Sequence, residues 1–123
     1  MADTGFRGPR QVWAAFLWSV QGLRAAWRHE ASFRLDACLS IVAIPVGLWL
    51  GHGGVEKLLL TAPLLLLLAV ELVNSAIEAI VDRVSPEYSE LAGRAKDMGS
   101  AAVFMMLLLA GLAWALILVP RVL

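Results

Sequence analysis

Polar side chains recur on one face of a segment that follows a strongly apolar run, Leu58 to Val70. At about 100° per residue, five of them fall within roughly 100° of a helix face: Glu71, Asn74, Ser75, Glu78 and Asp82. A charge at bilayer depth costs roughly 2.5 to 3.5 kcal/mol even on a lenient insertion scale, and it usually marks an ion path, a metal or chemistry. We interpret this helix face as part of an active site in a membrane.

The chemistry that these groups suit is phosphoryl transfer. That reaction needs carboxylates to hold Mg²⁺, a base to accept a hydroxyl proton and cations to balance the phosphate charge. Magnesium prefers a few carboxylates together with phosphate oxygens and water, so Glu30 and Glu78 could hold it. The sequence contains no G-x-x-x-x-G-K-[ST] and no H-R-D motif, which excludes a P-loop and a protein-kinase mechanism.

The composition indicates one small membrane domain that must position these groups. Of the 123 residues, 60% are hydrophobic and 16% are charged, and long apolar runs of this kind are typical of transmembrane helices. The predicted fold is an all-α integral membrane protein with an N-terminal amphipathic surface helix and three transmembrane helices. The predicted bounds are about 11–29 for the surface helix, about 33–50, 58–81 and 98–119 for the spans, and 82–97 for a cytoplasmic segment.

Lysines and arginines are divided unequally between the two sides of the predicted bundle. Eight of them precede the first span or join the second span to the third, whereas two, Lys57 and Arg121, lie on the other side. The positive-inside rule therefore predicts a cytoplasmic N-terminus and an external C-terminus. The formal net charge of 0 argues against a nucleic-acid partner.

The sequence does not predict a cleavable signal peptide, an intrachain disulfide or a zinc site. The start Met1-Ala2-Asp3-Thr4 does not have the pattern of a cleavable signal peptide. Cys38 is the only cysteine, so no intrachain disulfide can form. His29 and His52 lack the spaced partner ligands of a zinc site.

The segment between the second and third spans contains a helix-start signal. Ser85-Pro86 is typical of an N-cap followed by proline at the first helical position, which predicts a short helix through Glu87 and Glu90. Asp97 follows where the third span begins. An idle carboxylate is costly at that depth, so we expect Asp97 to have a function.

Longer motifs extend this pattern. Residues 71–82 are followed by Glu87-Tyr88 and by the run Ala92-Gly93-Arg94-Ala95-Lys96-Asp97-Met98-Gly99-Ser100-Ala101-Ala102-Val103. They are preceded by Gly22-Leu23-Arg24-Ala25-Ala26-Trp27 and by Glu30-Ala31-Ser32-Phe33-Arg34. With this spacing, roughly Ser19 to Val103 resembles the prokaryotic diacylglycerol kinase family. The resemblance implies a homotrimer in the bacterial inner membrane, with active sites shared between neighbouring subunits at the cytoplasmic interface.

The resemblance also implies an activity, which is Mg²⁺-dependent transfer of phosphate from ATP to sn-1,2-diacylglycerol, giving phosphatidic acid. It implies that Glu71 is the general base, that Glu30 and Glu78 bind the magnesium, and that Asn74 supports both glutamates on its helix. The implied ATP-binding residues are Trp18, Glu30, Glu78, Glu87, Tyr88, Ser89, Lys96 and Asp97. The implied substrate-binding residues are Arg10, Ser19, Arg24, Ser32, Phe33, Arg34, Leu35, Asp36, Glu71 and Ser100.

The chain departs from the family pattern mainly before Ser19. Phe6-Arg7-Gly8-Pro9-Arg10-Gln11 contains an insertion relative to the usual start. The resemblance implies that an arginine of this region contacts substrate, for which Arg10 is the candidate and Arg7 the alternative. Position 29 is His, where the family pattern has a polar amide.

Three other functions fit the same residues. A related kinase could act on a long polyprenol such as undecaprenol. A small ion-coupled transporter could move a proton on a membrane glutamate, although the acidic residues cluster toward one face. A non-catalytic assembly protein could use the same polar groups for contacts between helices.

Overall fold

The described part of the chain is entirely helical. The computed structural model describes residue 5 and residues 8–87 and 89–123. These residues form four helices, α1 (Pro9–His29), α2 (Ala31–Leu50), α3 (Gly53–Val84) and α4 (Glu90–Val122). Helices α2, α3 and α4 are each long and apolar enough to cross a membrane. The predicted fold class, one N-terminal helix followed by three spans, is therefore confirmed.

Glu30 forms the corner between α1 and α2. Its backbone is extended, with φ −117° and ψ 104°, and its N–H donates to the Ala26 carbonyl over 2.9 Å. The Arg34 side chain donates to the carbonyls of Trp27 and Arg28 over 2.8 and 3.2 Å. Because a cation satisfies the last carbonyls of α1, this corner is well defined and places the Glu30 side chain.

Helices α2 and α3 pack as an antiparallel pair through one face of each. The buried residues of α2 recur at helical spacing: Phe33, Asp36, Ala37, Ser40 and Gly47. Gly47 permits close approach, because a Cβ there would lie 3.1 Å from the Leu60 Cβ and 3.4 Å from the Thr61 Cγ2. Phe33 belongs to a core cluster with Ala26 and Ala37 that joins α1 to this pair.

Helix α4 is joined to the pair at the end that holds residues 50–56, which we call the turn end. The Arg121 guanidinium donates to the Leu50 carbonyl over 2.9 Å and pairs with the Glu56 carboxylate. Glu56 also accepts from the His52 N–H over 2.7 Å. The Trp114 indole donates to the Leu60 carbonyl over 2.9 Å. These contacts fix the position of α4 along α3.

The connection between α3 and α4, residues 85–89, corrects one prediction. Ser85 does not begin a helix: it ends α3, since its N–H donates to the Val81 carbonyl, and its hydroxyl donates to the Glu87 carbonyl over 3.0 Å. Ser89 is the N-cap instead, and its hydroxyl accepts from the Ala92 N–H over 3.1 Å. Helix α4 therefore begins at Glu90 and continues to Val122 without a break. The end of the bundle at this connection is called the connection end below.

Candidate active site

Glu71 is buried inside the helix bundle. Its exposed fraction is 4%, and that of Asp36 on α2 is 8%. The two carboxyl groups lie close enough to share a hydrogen bond when one of them carries a proton. The antiparallel packing of α2 and α3 explains this contact. The pair Gly47–Leu60 and the pair Asp36–Glu71 both fit one alignment of the two helices. A buried carboxyl group without a fixed partner would be strongly disfavoured, so this contact has a role in holding Glu71.

Asn74 and Glu78 lie on the same face of α3 as Glu71, nearer the connection end. The Asn74 amide nitrogen donates to the Glu78 carboxylate over 3.5 Å, and both side chains are half-buried. The Asn74 Oδ1 atom is fully buried against Gly99 of α4, where a Cβ would collide with it. Asn74 is thus confined by α4 and directed at Glu78.

Glu30 at the α1–α2 corner and Glu78 on α3 both lie near Glu71. The carboxylates of Glu30 and Glu78 are both within electrostatic range of Glu71. Among the described residues no group of three or more His, Cys, Asp or Glu side chains forms a metal cage. Two half-buried carboxylates fit Mg²⁺ that also binds phosphate oxygens and water, since this ion rarely takes a full set of protein ligands.

An open groove runs between α1 and α3, with a volume of about 710 Å³. Ser19, His29 and Glu30 line one side and Ser75 lines the other, while the small residues Gly22, Ala26 and Ala76 leave the space between the helices. Ser19, Glu30 and Ser75 are predicted from the sequence as polar or site residues, whereas the sequence does not predict a groove position for His29. The spacing Ser19, Gly22, Ala26, His29, at three or four residues, is the signal that could have identified this wall.

Cationic and polar groups gather at the connection end. The Lys96 ammonium lies 2.5 Å from the Asp82 carboxylate and within electrostatic range of Glu78. Ser89 is half-buried in the connection, and three other predicted residues near it are exposed: Glu87, Asp97 and Ser100. Tyr88 lies outside the described residues. Lys96, one of the predicted nucleotide-binding residues, therefore meets α3 at Asp82, where the polar face of that helix ends.

The predicted lipid-binding residues are more dispersed within one chain. Arg34 is engaged at the end of α1, Phe33 is 4% exposed in the core, and Leu35 on the opposite side of α2 is 72% exposed. Four predicted residues are exposed along α1 and at the start of α2: Arg10, Trp18, Arg24 and Ser32. Arg7, the alternative to Arg10, lies outside the described residues.

Fold and site together define a class of protein: a small helical membrane protein in which buried and half-buried carboxylates adjoin a groove beside its N-terminal helix. Residues 17–118 match the model of the family described as Prokaryotic diacylglycerol kinase. The diacylglycerol kinase of Escherichia coli (strain K12) is 46% identical over 101 residues, which are 82% of this chain and 83% of that protein. That of Pseudomonas aeruginosa is 47% identical over 114 residues, 93% of each chain.

The chain therefore belongs to the prokaryotic diacylglycerol kinase family. A more distant relative, the diacylglycerol kinase of Helicobacter pylori (strain ATCC 700392 / 26695), is 37% identical over 108 residues, 88% of this chain and 84% of that protein. The resemblance found in the sequence is confirmed, and so is the assignment to an enzyme of the kinase class. Three apolar helices and bacterial relatives indicate a protein of the inner membrane.

Proposed function

We propose that this protein phosphorylates sn-1,2-diacylglycerol with ATP, giving phosphatidic acid and ADP, and that Glu71 is the general base. One observation carries the proposal: Glu71 is a 4%-exposed carboxyl group, and the carboxylates of Glu30 and Glu78 act on it from the side of the connection end. A base excluded from water beside a phosphate-binding region suits proton abstraction from a lipid hydroxyl. The relatives from Escherichia coli and Pseudomonas aeruginosa are diacylglycerol kinases by name, which supports the choice of lipid.

In the proposed reaction the lipid's primary hydroxyl oxygen attacks the γ-phosphorus of ATP. The new bond joins that oxygen to phosphorus, the bond from phosphorus to the bridging β–γ oxygen breaks, and ADP leaves with the bridging electrons. Glu71 accepts the hydroxyl proton as the new bond forms. Lys96, which lies near Glu78, supplies positive charge close to the transferred phosphoryl group.

Glu30 and Glu78 are proposed to hold the Mg²⁺ that accompanies ATP, and Asn74 orients Glu78 through its amide. When bound, the ion would neutralise charge on the phosphates. The other proposed ATP-binding residues are Trp18, Glu87, Tyr88, Ser89, Lys96 and Asp97. The proposed substrate-binding residues are Arg10, Ser19, Arg24, Ser32, Phe33, Arg34, Leu35, Asp36 and Ser100.

We further propose that the enzyme is a homotrimer with a cytoplasmic N-terminus and a periplasmic C-terminus. The excess of Lys and Arg near α1 and the connection supports the orientation. The dispersal of the proposed lipid-binding residues over several faces of one chain supports a site that neighbouring subunits complete. Helix α4, of which Gly99 and Ala110 are the buried residues, has ample apolar surface for such contacts.

The decisive experiment follows ATP consumption by the purified protein in detergent micelles with Mg²⁺. A short-chain diacylglycerol and undecaprenol are offered separately. We expect turnover on diacylglycerol. Turnover only on undecaprenol would keep the mechanism and overturn the substrate, whereas no turnover on either by a folded protein would overturn the proposed function.

Glu71→Gln tests the base within the same assay. We expect loss of turnover with unchanged assembly, because the amide keeps the shape of the side chain but cannot accept the proton. The matched control is Glu56→Gln, a carboxylate on the same helix at the turn end, which should retain turnover. Wild-type turnover of Glu71→Gln would remove Glu71 from the role of base and leave the kinase assignment intact.

A further inference from the structure

Ser40 is a buried hydroxyl for which the proposed reaction gives no role. It lies on the face of α2 that packs against α3, and its exposed fraction is 2%. Its Oγ atom is shielded from solvent and makes no hydrogen bond to the residues that the structure describes. An unsatisfied hydroxyl in an apolar interior is costly, so its position calls for a partner.

Two other helical hydroxyls in this chain, those of Thr61 and Ser19, behave differently. Thr61, which lies in the same α2–α3 interface, donates to the Lys57 carbonyl over 2.8 Å. Ser19 on α1 donates to the Ala15 carbonyl over 3.0 Å. Both therefore bond back to their own helix, as Ser and Thr commonly do in apolar surroundings. Ser40 makes no such bond, so its hydroxyl is available to the interface.

The register of the two helices locates that hydroxyl. Gly47 packs against Leu60 and Thr61, and Asp36 meets Glu71. Antiparallel packing then places Ser40 opposite Leu67, which is fully buried. Ser40 is one helical turn deeper than Asp36 on the same face of α2, and side chains four residues apart have Cβ atoms about 5–6 Å from each other. That separation is within reach of one bridging water.

We propose that Ser40 is a positioning residue for Glu71. Its hydroxyl is linked to the Asp36 carboxyl group through one bridging water, and this link fixes the orientation in which Asp36 meets Glu71. Without this link the Asp36 side chain could rotate away from Glu71, and the position of the Glu71 carboxyl group would change with it. The proposal rests on the proposed kinase function only for its effect on turnover, since the hydrogen bond itself exists or does not exist independently of catalysis.

The test compares Ser40→Ala, Ser40→Thr and Ser40→Val. We expect Ser40→Ala to lower kcat about fivefold, the size of one ordinary hydrogen bond, with the KM for ATP unchanged. Thr and Val have nearly the same volume, so the higher kcat expected for Ser40→Thr isolates the hydroxyl. Thr61→Ala, which removes a hydroxyl bonded to its own helix in the same interface, should retain wild-type kcat.

Two further comparisons test whether Ser40 acts through Asp36 and through its hydroxyl. In an Asp36→Asn background the further loss caused by Ser40→Ala should shrink, because coupled residues are not additive. Equal kcat for Ser40→Thr and Ser40→Val, or an equal loss in Thr61→Ala, would overturn the positioning role.

Thermal unfolding supplies a readout that needs no turnover. If the Ser40 hydroxyl is hydrogen-bonded, Ser40→Ala unfolds at a lower temperature than the wild type. If the hydroxyl is unpaired, the order reverses, because burying an idle hydroxyl is costly, and the proposal is overturned. If the wild-type protein showed no lipid kinase turnover, the proposed function would be overturned. The order of the two unfolding temperatures would still show whether the Ser40 hydroxyl is hydrogen-bonded.

Discussion

Gly99 of α4 and Asn74 of α3 are in such close contact that a Cβ at position 99 would collide with the Asn74 side-chain oxygen. Gly99 is buried, and the oxygen has no access to solvent. The amide nitrogen on the other side of Asn74 is directed at Glu78 over 3.5 Å. A glycine on one helix therefore determines the position of an amide on another helix and, through it, the carboxylate proposed to hold magnesium.

Replacement of Gly99 by Ala should displace Asn74 and release Glu78. We expect the Mg²⁺ concentration for half-maximal activity to rise and kcat to fall, together by about tenfold or more, as is typical when a residue that orients a metal ligand is lost. Overpacking of a tight contact should also cost about 1–3 kcal/mol of stability. Magnesium titrations of activity and thermal unfolding measure the two effects.

Gly111→Ala is the matched control, because a Cβ at this position of the same helix meets no atom within 4 Å. Both substitutions improve helix propensity by about 1 kcal/mol, so their difference isolates the collision with Asn74. Identical behaviour of the two variants would show that the contact has no consequence for the site.

Substitution of Glu30 or Glu78 by Gln should weaken magnesium dependence. An amide offers a neutral oxygen in place of a charged one, so we expect the magnesium titration of activity to shift upward by about tenfold. Glu90→Gln, at an exposed carboxylate in the first turn of α4, is the control. Titration curves that match the wild type would remove the substituted glutamate from the metal site.

Lys96→Met should weaken ATP binding with little effect on stability. Lys96 pairs with Asp82 over 2.5 Å, but the two side chains are 41% and 63% exposed, and exposed ion pairs contribute little to folding. Its charge is instead available to phosphate, so we expect the KM for ATP to rise about tenfold or more. Lys57→Met, at the turn end, should leave that KM unchanged. An unchanged KM in Lys96→Met would exclude Lys96 from the nucleotide site.

Arg121→Met should lower the unfolding temperature and leave turnover unchanged at low temperature. Arg121 satisfies the Leu50 carbonyl at the end of α2 and pairs with Glu56 at the start of α3, so its loss removes the polar contacts that the last turn of α4 makes with both helices. These contacts lie at the turn end, away from Glu71. Thermal unfolding and turnover at 10 to 15 °C below the variant's midpoint, about the margin that keeps a destabilised protein folded, separate the two effects. Loss of turnover in Arg121→Met with an unchanged unfolding midpoint would contradict a purely stabilising role for Arg121.

Much of the architecture could be predicted from local patterns. Apolar runs of sufficient length predict the spans, and the 3.6-residue period places Glu71, Asn74 and Glu78 on one face of α3 without knowledge of any partner helix. The start of α4 was harder to predict, because Ser85 and Ser89 are both acceptable N-caps by residue type. Hydrogen bonding decided between them, since the Ser85 hydroxyl donates to Glu87 and the Ser89 hydroxyl accepts from Ala92.

The sequence by itself determined the helices, the family resemblance and the polar face of α3, because each depends on residues that are neighbours along the chain. Only the tertiary structure decided that Asp36 meets Glu71, that Gly99 confines Asn74 and that the Ser40 hydroxyl is buried at the α2–α3 interface. Those contacts depend on the register between helices, which arises from side-chain packing over long sequence separations. A helical period reveals which face a residue occupies, but it does not reveal which residue of another helix lies opposite.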